Sequence, residues 1–225
     1  MSEEANRIDF LQGLEGTKIT LDSSADPPFH FPRQTWVIVK KLGEFQQRMI
    51  QEEVTDGMGI PYAAGKFLCH PVGNSSKLAF MRIYIQIPVT GTEFLQAKIR
   101  EKQAVPVREH KELTVLKTLR LQNCKVTPRL LGYQQGTQDT DGFIPGGYIT
   151  HLIWDKVPGE PLSMERFWDM SRRDREHVRG RFRETYQELI QYGCKPLRSN
   201  MSNIIYDKST DQMYVLLIVF SLGRR

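Results

Sequence analysis

Apolar and polar positions change their period several times along this chain, and each change marks a predicted element. Residues 1–32 are mostly polar and end in a Pro-rich stretch, Asp26 to Pro32, which predicts a flexible lead-in. Trp36 to Leu42, with Phe45, Met49 and Ile50 beyond, is spaced nearer to a helix than to a strand. From residue 66 the pattern turns to strands: Lys66–Val72 and Leu78–Ile87 flank Gly73–Ser76, a hairpin connection. Thr92 to Leu119 favours helix, divided in two by Pro106, and Leu113, Leu116 and Leu119 form an apolar face. Thr127–Tyr133 and Gly146–Trp154 predict a second strand group across a polar loop at 134–142. Beyond Gly159 the chain turns helical. Ser163 precedes a short helix with Phe167 and Trp168, and Ser171 with Asp174 caps a longer one running to Gly193. Val178, Phe182, Tyr186, Leu189 and Ile190 share one face of that helix. The tail is a polar loop, Ser202-Asn203, then a strand, a turn and an apolar run from Met213 to Phe220. Uncovered, its part from Val215 to Phe220 would be an exposed apolar patch.

Composition narrows the picture little. With 225 residues, 40% apolar and 25% charged, the chain suffices for one large domain or two small lobes with a sizeable core. The net charge of +5 permits contact with phosphates or acidic partners, but no nucleic-acid signature accompanies it. Cys69, Cys124 and Cys194 are far apart and odd in number, which predicts free thiols in a reducing compartment and no zinc site. The acidic, polar start is not a secretory signal, and no run approaches the roughly 18 apolar residues of a membrane span. A cytoplasmic protein without nucleic-acid or membrane partners is expected. The arginines between Arg172 and Arg183 interleave with Asp174, Glu176 and Glu184, the pattern of a solvated helix face. The histidines His70, His110, His151 and His177 are isolated, and no hydrolase triad is assigned.

The segments Phe80–Pro88, Glu112–Leu119, Val126–Tyr133, Pro145–Ile149, Trp154–Leu162 and Asn203–Asp207, in this order, resemble the protein-kinase-like superfamily. The resemblance is to its aminoglycoside- and choline-phosphotransferase-like branch, and more closely to kinase-like proteins of fungi. It covers residues 66 to about 220. It implies an α+β, two-lobed protein-kinase-like fold with a nucleotide cleft. The lobes would be a strand-rich small lobe at 33–153, a sheet plus one helix, and a partial helical large lobe at 154–225. Such large lobes carry further helices after the last strand, so C-terminal truncation at Arg225 is expected.

Position by position, the resemblance puts Arg82 where the family has a phosphate-contacting Lys, and Glu112 where a helix Glu holds it. Arg is bulkier and forked, so Arg82–Glu112 reads either as a nucleotide contact or as a strut between strand and helix. Trp154–Gly159 matches the hinge that reads an adenine edge through its backbone, making Asp155 and Val157 candidate cofactor contacts. Gly57, Gly59, Gly65 and Gly73 are too scattered for a glycine-rich cradle, and Gly73–Ser76 reads as a phosphate nest or as a plain turn.

Asn203 matches the family's metal-binding Asn, yet Arg198 then occupies the place of the catalytic carboxylate, and Leu217–Phe220 replaces the strand end that should present a second metal ligand. No catalytic residue is assigned. ATP and Mg²⁺ are what the resemblance implies as cofactors. The expected status is a degenerate, non-catalytic member with weak ATP binding or a protein partner. The alternatives are an active ATP-dependent phosphotransferase and an interaction scaffold without ligand.

Overall fold

Alternation with period two builds the largest element. On β4 (Ala79–Gln86) Met81, Ile83 and Ile85 point inward while Arg82 and Tyr84 are half-buried, as a half-covered strand requires. The computed structural model describes residues 8–23, 26–196, 200–216 and 220–222. They form a mixed α+β chain that divides into two compact units, one of residues 1–108 and 131–153, the other of 109–130 and 154–225.

The first unit is built on a six-stranded sheet of order β1-β2-β3-β4-β6-β5. Its strands are β1 (Lys18–Leu21), β2 (Gln34–Gln47), β3 (Tyr62–Pro71), β4, β5 (Leu130–Thr137) and β6 (Tyr148–Asp155). Neighbours from β1 to β4 pair antiparallel. The short helices α1 (Gln51–Thr55) and α2 (Ala97–Arg100) decorate the connections. Trp36, Ile38, Phe67, Met81 and Ile83 centre its core.

Two expectations are overturned here. The segment from Trp36 is strand β2, not helix: Trp36 and Ile38 are buried, and register shifts at Ile38/Lys40 and Lys41/Gly43 break the alternation that would have revealed it. Nor is residues 1–32 a flexible lead-in where it is described. β1 pairs with β2, and Phe10, Leu11, Leu21, Phe29 and Phe31 are buried. The docking is polar as well as apolar. The Glu44 carboxylate accepts the backbone N–H groups of Phe10 (3.2 Å) and Leu11 (3.1 Å), and Lys41 bridges Glu44 (2.8 Å) and Asp9. These partners lie more than thirty residues apart in sequence, beyond the reach of a local pattern.

The second unit holds α3 (Lys111–Leu121), α4 (Met164–Asp169) and α5 (Arg172–Gln191). It also carries a three-stranded sheet of β7 (Glu160–Pro161), β9 (Ile204–Asp207) and β10 (Gln212–Val215), and a pair of β8 (Cys194–Pro196) with β11 (Phe220–Leu222). Ser171 Oγ accepts the N–H of Asp174 at 3.1 Å, so the predicted cap forms, and Ser163 Oγ likewise accepts the N–H of Arg166 at 3.2 Å. Leu162, Phe167, Val178 and Met213 form a buried cluster with Phe182 and Tyr206 packed against it. Met213 and Val215, in β10, are buried, while residues 217–219 of the predicted run lie outside the described residues. All three cysteines are free thiols. No helix among the described residues is long and apolar enough to cross a membrane.

Candidate functional site

The loop into β9 is held by its own amides. Asn200 Oδ1 accepts the N–H of Ser202 (3.0 Å), and the N–H of Asn203 closes a turn on Asn200 O (2.9 Å). Asn203 then stands at the open end of the β9–β10 hairpin, where its carbonyl accepts the N–H of Leu216 at 2.7 Å. Its half-buried side-chain amide has no hydrogen-bond partner among the described residues.

The two carboxylates of this hairpin lie at its other end. Asp207 pairs with Gln212 beside the turn, and its buried carboxylate accepts from Ser209 N (3.0 Å), Ser209 Oγ (2.7 Å) and Thr210 Oγ1 (2.6 Å). These bonds, Thr210 first, hold its pKa below the ordinary value. Asp211, in the left-handed region at φ 54°, accepts from His177 Nε2 (2.7 Å) and Tyr206 OH (2.8 Å). Arg181 Nε binds its carbonyl at 3.0 Å. His177 first and Tyr206 second lower the Asp211 pKa, while burial and then Asp211 push the Tyr206 phenol up to about 12, so Tyr206 remains a donor at neutral pH. Asp207 is four residue steps along the strand from Asn203, about 13 Å at the usual rise of a strand. Arg198 and the stretch 217–219 lie outside the described residues.

At the predicted hinge, Asp155 is tied to the start of β5. Its N–H donates to Arg129 O (3.1 Å), and its Oδ1 accepts the Arg129 N–H (2.5 Å). Burial raises the Asp155 carboxyl above its ordinary value, against the opposing pull of Arg129. Val157 is buried, and with Asp155 it lines a cavity of about 450 Å³ that also takes in Arg120, Arg129, Lys156 and Tyr214. Gly159 closes the segment at φ +98°, where a Cβ would come within 2.6 Å of Tyr206 and Asp207 backbone atoms.

Arg82 lies in the first unit, across from Lys66 in the β3–β4 ladder, and Glu112 lies in the second, in the first turn of α3. Each is half-buried. Of the glycines, Gly73 sits at φ +87° in the β3–β4 turn, where Asn74 N bonds Pro71 O at 3.1 Å. Gly65 faces the Phe67 ring, which a Cβ would meet at 2.7 Å, so packing accounts for it. The structure thus brings together Asp155 and Val157, and sets Asn203 apart from both acids of its own hairpin. No local pattern announces the basic cavity lining, whose residues come from three separate segments, or the His177–Asp211 contact across 34 positions.

No family model matches this chain, and no curated protein matches it. Among solved structures it is similar to the granulovirus kinase PK-1 of Cydia pomonella, at 15% identity and a TM-score of 0.42, over 80% of this chain and 49% of that one. The chain therefore spans about half the length of that kinase.

Proposed function

We propose that this chain is a kinase-like protein that does not transfer phosphate and works by binding, with a nucleotide or a protein partner as the occupant. The observation that carries this reading is the fate of the acids around Asn203. From Pro196 to Arg225 the sequence holds just two, Asp207 and Asp211, and both are engaged at the far tip of the hairpin. Phosphoryl transfer relies on a carboxylate to orient the acceptor hydroxyl and on metal ions bridging the phosphates. Arg198, in the carboxylate's place, stays protonated and cannot accept a proton. Asn203 without acidic companions does not fit Mg²⁺, which is usually held by one or two carboxylates.

The kinase-like part of the reading draws on the order of elements. In the chain, α3 falls between β4 and β5 of a strand-rich sheet, the arrangement the resemblance implies for a small lobe. Asp155 and Val157, through the backbone of the hinge segment, are the contacts by which the second unit would retain ATP. An active phosphotransferase is the second reading, and the Asn203 amide, without a partner among the described residues, is the feature that favours it.

Melting with and without Mg²⁺–ATP, alongside a labelled-ATP turnover assay, separates the two. Binding to the folded state alone stabilises by about 2.7 kcal/mol at a hundredfold excess over Kd. The expected outcome is no turnover, with any stabilisation by ATP independent of Mg²⁺. Turnover that needs Mg²⁺ and disappears in Asn203→Ala would overturn the non-catalytic reading.

A further inference from the structure

We propose that the cavity between the loop following α3 and the segment following β6 is a binding site for a small phosphate-bearing molecule. Its lining carries four cations, Arg120, Lys125, Arg129 and Lys156, against one carboxylate, Asp155. That carboxylate is already occupied by the Arg129 N–H at 2.5 Å, and Arg120 spends one guanidinium N–H on Leu130 O. Lys125 Nζ is steadied by Asn123 Oδ1 at 2.9 Å, which places its charge at the rim.

Gathering like charges around a concavity costs stability, and the cost is visible here. Burial first, and then the charge of Arg129, push the Arg120 pKa below its ordinary value. Cations gathered around a cleft are what an anion site needs. A concave wall focuses their field, and guanidinium forks match phosphate oxygens in pairs. The volume, about 450 Å³, lies within the range of small-molecule pockets. Tyr214 and Val157 add an apolar wall on which the organic part of such a ligand can rest. A phosphate-bearing small molecule fits this combination of size and charge better than an acidic protein surface, which would need a broad, flat patch.

The site shares Asp155 and Val157 with the nucleotide reading above but involves neither Asn203 nor a metal, so metal-free pyrophosphate binding tests it apart from phosphoryl transfer. The test uses inorganic pyrophosphate in the presence of EDTA, with binding followed by calorimetry and by the rate of Cys124 alkylation. Cys124 lines the cavity whereas Cys69 and Cys194 are buried, so its labelling reports on this place. Pyrophosphate is expected to bind, to slow Cys124 labelling, and to bind more weakly as salt rises. The exposed positions Arg129 and Lys156 can be changed with little risk to folding, and Arg129→Gln or Lys156→Gln should each weaken binding about tenfold. Absence of binding, or binding that the double variant leaves unchanged, would overturn the proposal. So would pyrophosphate binding with Cys124 labelling unaffected.

Discussion

In the six-stranded unit the buried side chains are large and continuous. Trp36, Ile38, Phe67, Met81 and Ile83 come from three adjacent strands and share one cluster with the N-terminal Phe10 and Leu11. In the second unit the described cluster of Leu162, Phe167, Val178 and Met213 is smaller, and the β9–β10 turn is fixed by polar contacts from Ser209, Thr210, His177, Arg181 and Tyr206. One unit is held by removal of apolar surface from water, which is non-directional and tolerant of exact placement. In the other, hydrogen bonds around the β9–β10 turn fix where Asp207 and Asp211 stand. The same geometry that makes that turn rigid keeps Asp207 and Asp211 away from Asn203. Structural use of these acids and catalytic use of them exclude each other.

The largest effect should come from the apolar side of this contrast. Phe67 is wholly buried, and Phe67→Ala should destabilise the first unit by about 3–5 kcal/mol. Urea unfolding followed by fluorescence checks it, because Trp36 lies in the first unit and Trp154 and Trp168 in the second. Retention of the Trp36 signal at wild-type urea concentrations would show that this core is not what holds the sheet. Next in size is Gly159→Ala. A non-glycine residue at φ +98° is strained, and its Cβ would strike the Tyr206 and Asp207 backbone at 2.6 Å, so a loss of about 2 kcal/mol or more is expected. It should appear first in the Trp154 and Trp168 signals. A variant as stable as wild type would mean that the β7–β9 contact is dispensable.

How much of this was legible depended on whether the cause was local. The Ser171 cap, the Gly73 turn and the strand around Met81 are all written within a few residues, and each appears as read. β2 was misread because two register shifts disturb its period, and the N-terminal segment because its anchors, Glu44 and Lys41, are distant in sequence. The basic cavity shares that second cause: Arg120, Arg129, Lys156 and Tyr214 acquire a common meaning only after folding. Arg82 and Glu112 remain candidate nucleotide contacts on the strength of the resemblance.

The smallest effect belongs to the polar latch, and pH isolates it. The Asp211 carboxyl is held below its ordinary 3.8, chiefly by His177 and then Tyr206. A carboxyl depressed in the folded state contributes stability above its unfolded pKa, and that contribution is lost as pH falls through the lower folded value. Asp211→Asn removes the charge but keeps a residue suited to the left-handed backbone at φ 54°, so the turn itself should survive. The variant should therefore be slightly less stable than wild type at neutral pH, with the difference closing below 3.8. Other depressed carboxyls, Asp207 in the same turn and Asp9 in the first unit, are common to both proteins and cancel in the comparison. Denaturant midpoints of the two proteins, measured from about pH 7 down to about pH 2, give the answer. A gap that stays constant with pH would assign the contribution of Asp211 to shape rather than charge.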